Sequence, residues 1–298
     1  MAIEARTGSG PVTDVAARPN PWRRLVDVWR HRELLLNLVR KELKLKYKNS
    51  TLGFLWSLLN PALYLVVFYF VFQIVLGAGL PYFAIFFLAG LLPWNLFSTS
   101  LGSSTTSVVG NAGLVKKVWF PREILPLAAI GAALVHFFLQ LIVLALALVI
   151  FRYPPSAEFC LLLPIALLTL LLFAAALGIG FAALNVYLRD TQHLLELVLL
   201  AWFWATPIVY QYTKISDRIG NWVLLNPMTS IVITFQRAIY NRTTYYDTTT
   251  KTTVGILPDE SIWWYLRNLG IVGGCSLLLL VGALLLFGRL EDNFAEEL

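Results

Sequence analysis

Arg40, Lys44 and Lys48 recur at four-residue intervals, so on a helix they form one charged ridge. Such a ridge can receive an anionic lipid head, such as a pyrophosphate, through charge-assisted hydrogen bonds. The same cations also suit simple anchoring, because basic residues beside a first span are drawn to anionic lipid. A second group holds Lys117, Trp119, Phe120, Pro121, Arg122 and Glu123, with Pro126 close behind. A turn that had only to be soluble has little use for two large aromatics. Aromatics and Arg on a short, proline-stiffened element are where protein interfaces concentrate their energy. Placing Trp119 in an interfacial aromatic belt is the plainer alternative. A third group is aromatic: Tyr64, Phe68 and Phe72 form an i, i+4, i+8 stripe, and Trp94, Trp202, Trp204 and Tyr210 follow. Such rings can line a path through the spans, and the same stripe can equally pack against a neighbouring helix.

The elements that must position these groups are membrane-spanning. Positions 49 to 115 contain no Asp, Glu, Lys, Arg or His. About 20 apolar residues cross the hydrocarbon layer as a helix, so this run holds two spans and the hairpin Gly77-Ala78-Gly79-Leu80-Pro81 between them. Further stretches free of Asp, Glu, Lys and Arg run over 124–151, 159–188, 197–213 and 268–288. The expected fold is an all-α polytopic membrane protein with six transmembrane helices. Apolar residues at 58 %, charged residues at 13 % and a mean hydropathy of +0.71 agree with that class. The stretch 197–213 is the shortest and contains Pro207, so it is expected to cross incompletely or to break near its outer end.

An even number of spans puts both termini on one side. Of the 23 Lys and Arg, only Arg152, Lys214, Arg218, Arg237, Arg242, Lys251 and Arg267 then fall on the other, which places the termini in the cytoplasm. The net charge of +6 therefore reflects topology and anionic lipid, with nucleic acid a poor second reading. Residues 1–21 contain no apolar signal and read as a disordered cytoplasmic tail. Residues 22–48 alternate apolar and charged faces at helical spacing, the pattern of an amphipathic helix lying in the interface. The six-span domain then occupies 49–290, and 291–298 is a cytoplasmic tail. The external loop, about 211–262, is too long for a hairpin turn. Its apolar stretch 231–240 suits a re-entrant or interfacial helix forming an external gate, and its Thr/Tyr-rich part favours a small hairpin.

Other chemistries are poorly supported. There is no Gly-Lys dipeptide, hence no G-x-x-x-x-G-K-[ST] phosphate loop. The outer acids Glu158, Asp217, Asp247, Asp259 and Glu260 contain no paired D-x-D arrangement, which weakens a glycosyltransferase. His136 and Gln140 share a helix face, but no carboxylate lies near them within a span, which disfavours an ion-driven transporter or flippase. Cys160 and Cys275 fall in separate spans, where small buried thiols are expected and a metal site is not.

Residues 37–56, from Asn37 through Arg40-Lys41-Glu42 and Leu52-Gly53-Phe54 to Trp56, run into Asn60-Pro61. They strongly resemble the lead-in to the first span in permease subunits of bacterial polysaccharide ABC exporters. This ABC-2 type family exports O-antigen, capsule, teichoic acid and cell-wall galactan. Residues 117–126 resemble its coupling region, and Leu188-Arg189-Asp190, 207–210 and Asn226-Pro227 also stand where the family pattern has them. The resemblance covers roughly 22–290, and residues 240–253 depart from it.

The resemblance implies a homodimer working with two copies of a separate cytoplasmic ABC ATPase, which carries the ATP and magnesium; this chain would hold no cofactor. On that reading ATPase closure pushes the element 117–123. Arg122 and Glu123 grip it, Trp119 and Phe120 fill an apolar cleft on the ATPase, and Arg189 and Asp190 join the coupling surface. The aromatics would line a path for a polysaccharide on polyprenyl diphosphate, with Arg40, Lys44 and Lys48 at the diphosphate. The expected location is the bacterial cytoplasmic (inner) membrane.

Overall fold

The computed structural model describes residues 21–48, 50, 52–77, 79–247 and 251–298. The expected tail thus lies outside the described residues except for Pro21, as do Ala78 of the first hairpin and positions 248–250.

The amphipathic segment forms two helices, α1 (Pro21–Arg30) and α2 (Arg32–Tyr47), separated at His31. One apolar stripe of α2 is covered by protein. Leu38 is buried, and Val39 sits directly on Gly131, where a Cβ would come within 2.8 Å of the valine methyl. Val26 and Trp29 of α1 and Leu36 of α2 are left exposed. The segment therefore packs on the bundle with one face instead of resting wholly on headgroups. At the end of α2, the Tyr47 hydroxyl bonds Ser57 (2.6 Å) and His136 Nδ1 (2.8 Å), tying the start of the first long helix to the bundle.

Among the described residues, five helices are long and apolar enough to cross a membrane. The first is α3 (Leu55–Tyr69) with a π-helical continuation, Phe70–Val75. Next come α4 (Phe83–Gly110), the short α5 (Ala112–Val115) and the long α6 (Ile124–Ile150). The short α7 (Ala157–Cys160) leads into α8 (Leu163–Tyr187). In α4, Ser104 donates to the Pro126 carbonyl of α6 (3.0 Å) and faces Gly178 of α8. Small residues allow this close approach, which drives helix association where lipid removes the hydrophobic force.

The stretch 197–213 does not form a full-length helix. Helix α9 (Thr191–Trp204) has 14 residues, about 21 Å at 1.5 Å per residue. The chain then continues as an irregular strap over 205–211, where Pro207 supplies no N–H for a helical ladder. The strap is held from the side: Gln236 Nε2 donates to the Pro207 carbonyl (3.1 Å), and Ile208 passes over Gly90.

Helix α10 (Tyr212–Ile219) and a 3₁₀ turn (Gly220–Leu225) lead to α11 (Pro227–Ile239). Asn226 caps α11 by accepting from the Met228 N–H (3.0 Å) and the Trp202 indole (2.8 Å). Apart from its half-exposed Pro227 and Arg237, α11 is buried, packed on α4, α7 and α8. Strands β1 (Thr244–Asp247) and β2 (Thr252–Gly255) form an antiparallel pair, as the Thr/Tyr composition suggested. Helix α12 (Ile262–Leu290) packs along α8 and on α11, and α13 (Phe294–Glu297) follows it. The described N- and C-terminal segments meet at one end of the bundle, and the β-hairpin lies at the other.

Candidate functional site

At the terminal end, Lys116, Lys117 and Val118 follow α5 and are exposed, and Trp119 projects with 84 % of its surface accessible. Phe120 turns the other way. It is buried in a cluster with Leu38, Ile124, Phe287 and Phe294, which corrects the expectation that both aromatics stand free on the surface: Trp119 does, Phe120 does not. The cause is local: the hydrophobic contacts of α2, α6, α12 and α13 converge behind Phe120, and burying a Phe there stabilises by about 1.5–3 kcal/mol.

Arg122 and Glu123 are likewise engaged within the chain. Arg122 donates to the Glu291 carbonyl and lies over the Phe294 ring at 5.7 Å. Glu123 is 1 % exposed and pairs with Arg24, whose other nitrogen reaches Glu291. Burial and the neighbouring Glu291 push Glu123 above the usual carboxylate range, against the pull of its own backbone bond and Arg24. Burial disfavours the Arg24 cation, but bonds to Glu291 and Glu123 outweigh it and hold the guanidinium protonated. The polar grip expected of Arg122 and Glu123 is thus an internal brace beneath Trp119. A buried pair of this kind is costly to break from one side, about 3–5 kcal/mol, because the remaining charge is left unpaired.

Leu188, Arg189 and Asp190 form the exposed turn between α8 and α9 at the same end. Tyr187, just before them, donates to the Leu290 carbonyl (2.7 Å). Arg40, Lys44 and Lys48 are exposed along and just after α2, and their neighbour Lys41 is tied to Asn111 ahead of α5.

The aromatic residues divide. Phe68 is half-buried, stacked on Phe87 (5.0 Å) and Phe72 (5.9 Å), and Phe72 stacks on Phe83 (6.2 Å). Trp94 is buried against Phe97 and Phe203. Trp202 stands edge-on to Phe97 and Phe173 and spends its N–H on Asn226. These four rings pack against neighbouring helices within the chain. The rings left substantially exposed are Tyr64 and Trp204, gathered around Phe68 at 6.3 and 6.4 Å. Tyr210 closes the strap by donating to the Trp204 carbonyl (2.6 Å).

Sequence reasoning missed Arg24 as the partner of Glu123, and Glu291 as the second carboxylate on Arg24. Nothing local marks them, since the two pairs span 99 and 267 positions of the chain.

Comparison with known proteins places this arrangement. Residues 33–240 match the family model described as ABC-2 type transporter. The chain is 34 % identical over 275 residues to the O-antigen export system permease protein RfbA of Myxococcus xanthus, covering 91 % of this chain and 98 % of that protein. It is 30 % identical to an RfbA of Klebsiella pneumoniae, over 89 % of this chain and 95 % of that one. Against the polysialic acid transport protein KpsM of Escherichia coli the identity is 24 %, over 68 % of this chain and 79 % of the other. With the family model spanning most of the chain and relatives aligned nearly end to end, the chain belongs to the ABC-2 type transporter family.

Proposed function

We propose that this chain is the transmembrane permease of an ATP-driven exporter that carries a polyprenyl-diphosphate-linked polysaccharide across the cytoplasmic membrane. It works as a homodimer with two copies of a cytoplasmic ABC ATPase, to which ATP and magnesium belong. Likeness to O-antigen export permeases supports the cargo class. In this reading α9 and the strap 205–211 together make the sixth crossing, so both termini are cytoplasmic, as the cation distribution requires. The unit α10–α11 is then a re-entrant gate on the outer side.

The observation that carries the coupling role is the contrast at 119–123: one fully presented tryptophan on a segment whose other side chains are braced internally. A rigidly held aromatic loses little freedom on docking and is a typical interface anchor. Arg189 and Asp190 frame the same surface, Arg40, Lys44 and Lys48 meet the diphosphate, and Tyr64 and Trp204 offer the sugar-facing rings.

Trp119→Ala should leave the melting temperature of the purified permease unchanged. Its affinity for the partner ATPase should fall about 30-fold, the equivalent of a 2 kcal/mol anchor. Phe120→Ala should instead destabilise the permease by about 3 kcal/mol. Melting curves and co-purification with the ATPase separate the two. A folded Trp119→Ala protein with undiminished ATPase affinity and export removes the docking role.

A further inference from the structure

We propose that the cleft enclosed by α10, the β1–β2 hairpin and the start of α12 is a carbohydrate-binding site. It takes uncharged sugar units of the exported glycan at the hairpin end, an assignment whose cargo class rests on the function proposed above. The cleft encloses about 520 Å³, a volume suited to one or two pyranose rings.

Its lining matches the two-sided chemistry of a pyranose. One face of such a ring is C–H surface that stacks on an aromatic plane, and its rim carries hydroxyls that must find acceptors and donors. Trp264 supplies the aromatic wall, the largely buried Tyr212 closes the floor, and Asp259 and Glu260 supply carboxylate acceptors. Asn221 and Thr243 can both donate and accept.

The walls are built, not incidental. Thr213 donates its hydroxyl to the Gly255 carbonyl, and a Cβ on Gly255 would come within 2.8 Å of the Thr213 methyl, so the hairpin is seated directly on α10. Tyr265, buried behind Trp264, donates to the Pro258 carbonyl (2.8 Å) and fixes the turn that carries Asp259 and Glu260.

Other ligand classes fit less well. Two carboxylates on the rim repel a phosphorylated or acidic ligand. Asp259 already faces Arg237 at 3.7 Å, and among the described residues no three His, Cys, Asp or Glu gather to hold a metal ion. What remains is a hydroxyl-rich, uncharged partner. The cleft also shares α10 with the α10–α11 unit, so a sugar held there bears on the same elements that cover the bundle.

The test uses the full-length permease in lipid nanodiscs without its ATPase, probed by saturation-transfer NMR with mannotetraose, galactotetraose and chitotetraose. At least one should bind with millimolar affinity. Trp264→Ala should weaken that binding about tenfold, whereas Trp264→Phe, which keeps a ring on the wall, should retain most of it. Asp259→Asn combined with Glu260→Gln should weaken it several-fold and leave the melting temperature unchanged. No signal from any of the three probes, or equal binding by Trp264→Ala, overturns the site. Glycan export with the ATPase is measured in parallel. Export without sugar binding rejects the cleft and spares the permease function, and sugar binding lost on Trp264→Ala without export rejects the function and spares the cleft.

Discussion

Helices α3 and α4 follow one another, carry no charge, and end in opposite surroundings. The α3 segment, Leu55–Val75, is the more apolar, with a mean hydropathy of 2.0, yet only 6 % of its most apolar window is buried. For α4 the hydropathy is 1.5 and the buried share 83 %. In water the more apolar helix would be the inner one. In lipid, hydrocarbon satisfies Val66, Val67, Phe70 and Ile74 as well as protein does, so hydropathy no longer sorts inside from outside. Packing sorts them instead: α4 carries Gly90, Ser100, Ser104 and Ser107, small residues that let α6, α8 and the strap come close.

Substitutions along the two helices should grade accordingly. The largest loss is expected for Phe97→Ala on α4. Its ring is fully buried, stacked on Phe173 at 5.4 Å and edge-on to Trp202, and removing it should cost about 3–5 kcal/mol of stability by thermal melting in detergent. Phe68→Ala, half-buried where α3 meets α4 and α9, should cost about 1–2 kcal/mol. If export by Phe68→Ala falls much further than its stability explains, the ring serves the cargo as well as the packing. The smallest effect is expected for Val66→Ala and Phe70→Ala, within about 0.5 kcal/mol for the isolated chain. A loss at these two positions exceeding that of Phe68→Ala would reverse the order and place α3 inside the bundle.

How far the sequence reveals the molecule follows the same division. The long apolar runs and the turn at Gly77–Pro81 are legible, because they depend on composition over many residues. The end of α9 at Trp204 is partly legible through Pro207. The side taken by Phe120 is not, because it depends on Phe287 and Phe294 arriving from the far end of the chain. The aromatic stripe shows the same limit. Spacing puts Tyr64, Phe68 and Phe72 on one face, but only the position of α4 reveals that Phe68 and Phe72 are stacked on Phe87 and Phe83 and half-buried while Tyr64 stays exposed. Residues 117–126 stand out through composition alone, and the structure leaves Trp119 exposed there, whereas the brace formed by Arg122 and Glu123 needs the distant segments at Arg24 and at 291–294.

That brace also sets an order of manufacture. Glu291 is made 267 residues after Arg24, immediately after α12. Until that last helix is inserted, Arg24 and Glu123 face each other without their second carboxylate, and Phe120 lacks the rings of Phe287 and Phe294. A chain still on the ribosome, or one cut short before its final span, therefore lacks these contacts on the segment that carries Trp119. On the proposed coupling role, the surface that would recruit an energy-supplying partner is therefore completed only once the last helix is in place.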